Sequence, residues 1–353
     1  MEFAFTDEQA MIAETVKAFF AENASSERTR AAMAADGVDR ALWSSFCKEL
    51  GLAGIGIAEE LGGAGLGMVE LSIVAEAAGT HVAALPLLGL AAGARAIALG
   101  GNTDQHQAYL GGILSGDILV AAVEADAEAL HFADGKLSGT LPFVPHGVAA
   151  DLYVIASSLG VFVLDRKAAG VSISAQTTMD QTRPLAKLIL DQAAVDRLDD
   201  ADKAHAGFRQ GGWLCLAAEA LGGSQSALDI TVAYSKERVQ FGRQIGSYQA
   251  YKHRLADMMV DIEQARSAVY WAACAVDEGD EEQALALHSA KSFCADTYRA
   301  CSGHMIQLHG GIGFTWEHDA HLFFKRARSI SSMMGDSEWH RQKIADLVMG
   351  AAL

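Results

Sequence analysis

The sequence predicts an α+β protein in three parts. An N-terminal helical domain covers residues 1–116, a small middle β-barrel or sandwich covers 117–199, and a C-terminal four-helix bundle covers 200–353. Three observations predict this. Hydrophobic residues fill 51% of the 353 positions and only four prolines interrupt them, which gives ample chain for a large core. Ala, Leu, Glu and Met, which are good helix formers, crowd the outer thirds. Near Asp117 the apolar spacing shortens to β-prone runs, and near Asp200 it returns to a helical period.

Thr6 to Asn23 reads as a capped helix. Thr6 or Asp7 serves as N-cap, and Met11, Ile12, Val16, Phe19 and Phe20 follow helical spacing. A second helix spans Arg40 to Leu50 and stops at Gly51. The glycine-rich stretch from Ile55 to Gly67 follows neither a Rossmann-type strand nor precedes a Lys-Ser/Thr pair. It therefore reads as a tight loop before a long helix over Met68 to Gly79. Gly89 to Gly116 completes the helical third. Short β-prone runs follow at 118–123, 136–139, 152–156, 161–164 and 171–174, parted by Gly, Pro and Asp, and the β region ends near Asp191. Beyond Asp200, Trp213, Leu216, Ala220, Leu228 and Val232 share one helix face, and three further helices follow. The acidic run from Asp277 to Glu282 reads as a solvated loop.

A formal charge of −17 and a pI near 5.0 argue against nucleic acid or an anionic membrane as partner. The five cysteines, Cys47, Cys215, Cys274, Cys294 and Cys301, have no paired metal spacing and read as buried thiols. Nor do the twelve histidines share metal spacing on a helix face. The start, Met1 to Glu8, lacks the basic residues and apolar run of a signal peptide, and no uncharged apolar stretch is long enough for a membrane span. The expectation is a soluble, cytoplasmic protein.

Chemistry concentrates between Glu237 and Asp257, where Arg238, Phe241, Arg243 and Gln249 fall within a dozen residues of a Gly-bearing turn between helices. Arginine presents a planar fork to phosphate oxygens, Phe241 offers a stacking face, and Gln249 both donates and accepts. The set suits an anion carrying an aromatic ring, although Arg and Gln at a helix corner also occur as plain surface residues or caps. A second block, Gln307-Leu308-His309-Gly310-Gly311-Ile312-Gly313-Phe314-Thr315-Trp316-Glu317, taken alone is a helix-ending turn. Together, Arg238-Val239-Gln240-Phe241-Gly242-Arg243-Gln244-Ile245-Gly246 with Gln249 and Lys252-His253-Arg254-Leu255-Ala256-Asp257, and then this block, resemble the two C-terminal motifs of the acyl-CoA dehydrogenase family of flavoproteins. The helical, β, helical order resembles that family's architecture over nearly the whole chain. The resemblance implies FAD as cofactor and an acyl-CoA as substrate. It places Arg238 at the pyrophosphate, Phe241 against the cofactor, Gln249 and Gln307 as polar contacts, and Gly310 and Gly311 where backbone approaches closely. In the family these residues serve an FAD held mainly by the neighbouring subunit.

The pattern breaks where the family does its chemistry. Members carry Thr-Glu-Pro and then Gly-Ser beside the isoalloxazine; here Val123-Glu124-Ala125-Asp126-Ala127 stands there, and the following loop is shortened. The family's Trp-Ile-Thr aligns with Phe143-Val144-Pro145, and proline offers neither N–H nor hydroxyl. The base that takes the α-proton is a Glu before Gly-Thr, where this chain has Met334; the alternative Glu aligns with Gly212. Glu219, Asp336 and Glu338 remain as nearby acids, with no catalytic residue assigned to any of them. Half a flavin site kept and half lost resembles one subunit of the bacterial α2β2 acyl-CoA dehydrogenases that act on steroid side chains. A homologous partner subunit then supplies the base, and an electron-transferring flavoprotein is the family's usual acceptor. Two alternatives stand: a self-sufficient homo-oligomer with a relocated carboxylate, and a non-catalytic structural homologue.

Overall fold

The structure, a computed structural model, describes residues 5–350. Six helices come first: α1 (Asp7–Asn23), α2 (Ser26–Met33), α3 (Arg40–Ser44), α4 (Met68–Thr80), α5 (Leu87–Gly100) and α6 (Thr103–Leu114). Eight strands follow: β1 (Val120–Glu124), β2 (Leu130–Ala133), β3 (Lys136–Pro145), β4 (Leu152–Ser157), β5 (Gly160–Asp165), β6 (Val171–Ala175), β7 (Leu185–Ala194) and β8 (Asp196–Arg197). The long helix α7 (Ala201–Glu237) leads to a hairpin of β9 (Val239–Gln240) and β10 (Arg243–Gln244). Then come α8 (Gln249–Asp277), α9 (Gln283–His309), α10 (Ala320–Ser332) and α11 (Ser337–Met349). The glycine-rich stretch is a loop with one short 3-10 turn, Glu59–Leu61, ahead of α4. Thr6 caps α1 reciprocally with Gln9.

Two compact units divide the chain. One holds Glu27–Leu71 and Ala84–Cys215; the other holds the chain up to Ser26, Ser72–Ala83 and the chain from Leu216 onward.

In the first unit the strands make a sandwich of two four-stranded sheets, ordered β1-β4-β5-β8 and β2-β3-β7-β6. β1 and β4 pair in parallel, whereas the remaining pairs are antiparallel. Ala121, Tyr153, Ile155, Phe162 and Leu164 of one sheet meet Leu137, Leu141, Leu188 and Leu190 of the other. Full burial of a side chain the size of Leu or Phe stabilises by roughly 1.5–3 kcal/mol. α5 covers the outer face of β1 and β4, so all six residues of β4 are buried. A strand covered on both faces reads as a continuous apolar run rather than an alternation. β7 faces the core on one side only: Ala186, Leu188 and Leu190 are buried while Ile189 and Asp191 are exposed.

In the second unit the part of α7 from Leu216 onward packs with α8, α9 and α10 as the bundle, and α11 lies against α9. The Tyr298 ring of α9 sits over Gly223 of α7. α4 crosses α7 through a reciprocal arrangement. A Cβ on Gly79 would come within 2.2 Å of the Glu219 carbonyl, and one on Gly222 within 1.9 Å of the Glu76 carbonyl. Each of these glutamates then reaches a third helix. Glu219 accepts from Arg326 of α10, and Glu76 accepts from Arg266 of α8, whose other nitrogen donates to Gln225 at 2.9 Å. The close crossing requires the glycines, and the two arginines supply counter-charge to the buried Glu219 and the half-buried Glu76.

Candidate functional site

The hairpin after α7 is built of two-residue strands. Arg243 pairs with Gln240 and Gln244 with Val239, leaving Phe241 and Gly242 as the two turn residues with φ of 53° and 80°. A two-residue hairpin turn matches the strand twist when both central residues have positive φ. Glycine takes that conformation freely, but a Phe there is strained by roughly 1–2 kcal/mol. Phe241 is also 93% exposed. A strained backbone therefore holds an aromatic ring out in solvent, which neither turn chemistry nor core packing asks for. Arg243 lies over the Tyr248 ring at 3.8 Å, and Tyr248 donates to the Gln240 carbonyl at 3.2 Å. The exposed side chains of Arg238 and Gln249 have no polar partner among the described residues.

The second block forms the end of α9. The helix stops at Gly310, with φ 64° and ψ −144°, a region essentially restricted to glycine. A Cβ on Gly310, Gly311 or Gly242 would meet nothing within 4 Å. These glycines thus leave space that no other atom of the described chain fills. Gln307 is exposed, as are Phe314 at 76% and Trp316 at 58%. Two tyrosines join this block to the first. Tyr251 of α8 donates to the Leu308 carbonyl at 3.2 Å, and Tyr234 of α7 donates to the His309 carbonyl at 3.4 Å. All six residues singled out in the sequence, Arg238, Phe241, Gln249, Gln307, Gly310 and Gly311, therefore fall at one end of the bundle. Open glycines, an unengaged guanidinium, two free amides and a displayed ring fit a pyrophosphate joined to a ring system.

The acids lie elsewhere, and two of the three are engaged. Arg326 and Glu219 side chains are 3% and 5% exposed, so Glu219 is a buried ion-pair member. Asp336 caps α11 by accepting from the Trp339 amide at 2.8 Å, and Glu338 sits exposed in that helix's first turn. Met334 occupies a left-handed conformation, φ 53°, ahead of Gly335 at 92°. Lys291 and His340 hold this turn. Lys291 Nζ donates to the Ile330 and Gly335 carbonyls, each at 3.2 Å, and His340 Nε2 lies 3.1 Å from the Met334 carbonyl. His340 Nδ1 is 2.8 Å from His288 Nδ1, so one imidazole donates and the other accepts. Burial, followed by the Lys291 charge and His288, pushes the His340 pKa down to about 3, and burial pushes Lys291 down to about 8.

In the sheet-bearing unit, Glu124 at the end of β1 accepts from Arg209 at 3.1 Å, and that guanidinium lies 5.7 Å from the centre of the Trp213 ring. Phe143 is 64% exposed, and Pro145 ends β3. Sequence reasoning gave no role at the site to Tyr234, Tyr251 or His309. Their signal is positional: Tyr234 lies one helical turn before Arg238, Tyr251 two residues after Gln249, and His309 between Gln307 and Gly310.

Comparison with known proteins finds one family over most of the chain. Residues 6–117 match the acyl-CoA dehydrogenase N-terminal domain, and residues 210–349 match its C-terminal domain. The chain is 34% identical over 335 residues to the acyl-CoA dehydrogenase IpdE2 of Mycolicibacterium smegmatis, covering 94% of this chain and 95% of that one. Among solved structures it is similar to a variant of the Tcur3481–Tcur3483 steroid ACAD, with TM-score 0.86, 29% identity and 97% and 98% of the two chains covered. It is also similar to a chain of the ChsE4–ChsE5 complex from Mycobacterium tuberculosis, with TM-score 0.88, 25% identity and 100% of each chain covered. The chain belongs to the acyl-CoA dehydrogenase family, a family of oxidoreductases whose cofactor is FAD.

Proposed function

We propose that the chain is one subunit of a heteromeric, FAD-dependent acyl-CoA dehydrogenase that desaturates the α,β-bond of an acyl-CoA thioester. The observation that carries this reading is a contrast within one chain. Arg238, Phe241, Gln249, Gln307, Gly310 and Gly311 stand open at the bundle end, while Glu219 is bound to Arg326 and Asp336 caps a helix. The chain contributes the adenosine and pyrophosphate side of a composite FAD site. Arg238 binds the pyrophosphate, Phe241 packs on the cofactor, Gln249 and Gln307 hydrogen-bond to it, and the two glycines admit close backbone approach. Bound FAD supplies the hydride acceptor. The homologous partner subunit, in an α2β2 assembly, supplies the carboxylate base and the donors at the isoalloxazine.

Pro145 without a donor and Glu124 tied to Arg209 support that division. The likeness to a steroid ACAD and to the ChsE4–ChsE5 complex supports a heteromer acting on a bulky, ring-bearing acyl-CoA. The setting is the cytoplasm, with an electron-transferring flavoprotein as acceptor. No described helix is long and apolar enough to cross a membrane.

The test is to assay the co-expressed pair with Asp336→Asn or Glu338→Gln in this chain. Asn keeps the cap, so both variants fold. The expected kcat stays within about twofold of wild type, whereas losing a general base costs about 10²–10⁴-fold. A loss of that size in either variant would place the base on this chain and support a self-sufficient enzyme instead. Arg238→Ala is expected to strip FAD from the pair. Unchanged cofactor content would favour a non-catalytic homologue.

A further inference from the structure

We infer that Tyr234, Tyr251 and His309 are positioning residues for the adenosine end of the cofactor, locking the Gly310–Gly311 turn to the Arg238 hairpin. This inference rests on the FAD reading above. The last carbonyls of a helix lack intrahelical donors. At the end of α9 the Gln307 carbonyl is met by the Gly310 amide. The next two carbonyls, of Leu308 and His309, are met by hydroxyls from two other helices. Water or a local turn would satisfy them equally well, so two phenols from α7 and α8 do more than finish a helix. They fix the turn's backbone to the two helices that flank the hairpin.

Each phenol also stands beside a residue of the first block. The Tyr234 carbonyl accepts from the Arg238 amide at 2.9 Å, and the Arg238 carbonyl accepts from the Ile245 amide at 2.9 Å. Tyr251 follows Gln249 by two residues in the first turn of α8. A single connected path thus runs from the Gly310 turn through Tyr234 to Arg238 and through Tyr251 to the start of α8. His309 completes it. Its ring stacks on Tyr234 at 4.4 Å and 21°, and its Nδ1 donates to the Met305 carbonyl at 2.8 Å. Nε2 is buried with no hydrogen-bond partner among the described residues, so the imidazole serves by its face. Gly310 needs this external hold, because neither it nor Gly311 has a side chain to anchor the turn and both face open space.

The experiment has two readouts in the Tyr234→Phe, Tyr251→Phe double variant, which removes only the hydroxyls. In the free chain, amide hydrogen exchange over residues 310–314 is expected to rise several-fold while exchange in the middle of α9 stays at the wild-type rate. In the pair, the FAD dissociation constant, read by flavin fluorescence, is expected to rise roughly tenfold, the scale of two hydrogen bonds. Arg238→Ala is the contrasting control: it weakens FAD without loosening residues 310–314. Unchanged exchange at 310–314 overturns the inference, because the hydroxyls then do not hold the turn. Faster exchange with unchanged FAD affinity overturns it equally, because an ordered turn then does not matter to the cofactor. A wild-type pair that binds no FAD overturns the cofactor reading itself, and the wild-type control separates that failure from the others.

Discussion

Removing Arg326 would leave the Glu219 carboxylate buried without its ion-pair partner, and breaking a buried pair from one side costs about 3–5 kcal/mol. Arg326→Met is therefore expected to lower the denaturant midpoint of the chain sharply, while Arg326→Met with Glu219→Leu recovers most of the loss. Equal losses in the single and double variants would mean that the pair is not what the site needs. The same pairing engages Glu219, an acid on α7, with Arg326 of α10. A motif singles out Arg238, Phe241, Gln249, Gln307 and the two glycines in the sequence, and all six fall at one end of the bundle. What joins them was not legible. The Tyr251–Leu308 and Tyr234–His309 bonds span 57 and 75 positions, and no local pattern encodes a contact at that range.

Elements show where local preference yields to a larger demand. The hairpin keeps Phe241 at a positive φ that Asn would adopt more easily. Phe241→Asn is expected to stabilise the isolated chain by roughly 1 kcal/mol and raise its Tm, yet to reduce FAD retention in the pair. A lower Tm would contradict the strain account. The α9–α11 contact makes a pH prediction. The folded pKa of His340 lies near 3, below the ordinary 6.5, so the fold favours the neutral ring. As pH falls below about 6.5, the unfolded chain binds a proton that the folded chain refuses, and stability declines toward pH 3. Unfolding midpoints at pH 7.5 and pH 5 should show the decline, and His340→Gln should make it shallower.

Strand legibility followed burial and strand length. β4 and β5 were readable as apolar runs because both their faces are buried. β7 was not, since Leu185-Ala186-Lys187-Leu188-Ile189-Leu190 is built mostly from helix-forming residues and becomes a strand through pairing with β3 and β6. β2, four residues long, was too short to register. α11 adds a helix beyond the four that periodicity suggested.

At the scale of the whole molecule, a chain of formal charge −17 has to receive a cofactor and a substrate that are both anionic. Local arginines such as Arg238 must act against that field, and salt screening weakens them over about 8–10 Å. FAD retention by the Arg238 site is accordingly expected to fall as ionic strength rises. The central claim is that this chain holds one side of a shared cofactor and lacks the base. The visible spectrum tests it most directly, recorded on the purified chain alone and on the chain co-expressed with a homologous acyl-CoA dehydrogenase subunit. The account predicts a colourless single chain and a yellow pair that is bleached by acyl-CoA, with about one FAD per two chains, because only the partner of each pair holds the isoalloxazine. A yellow single chain bleached by an acyl-CoA would contradict it.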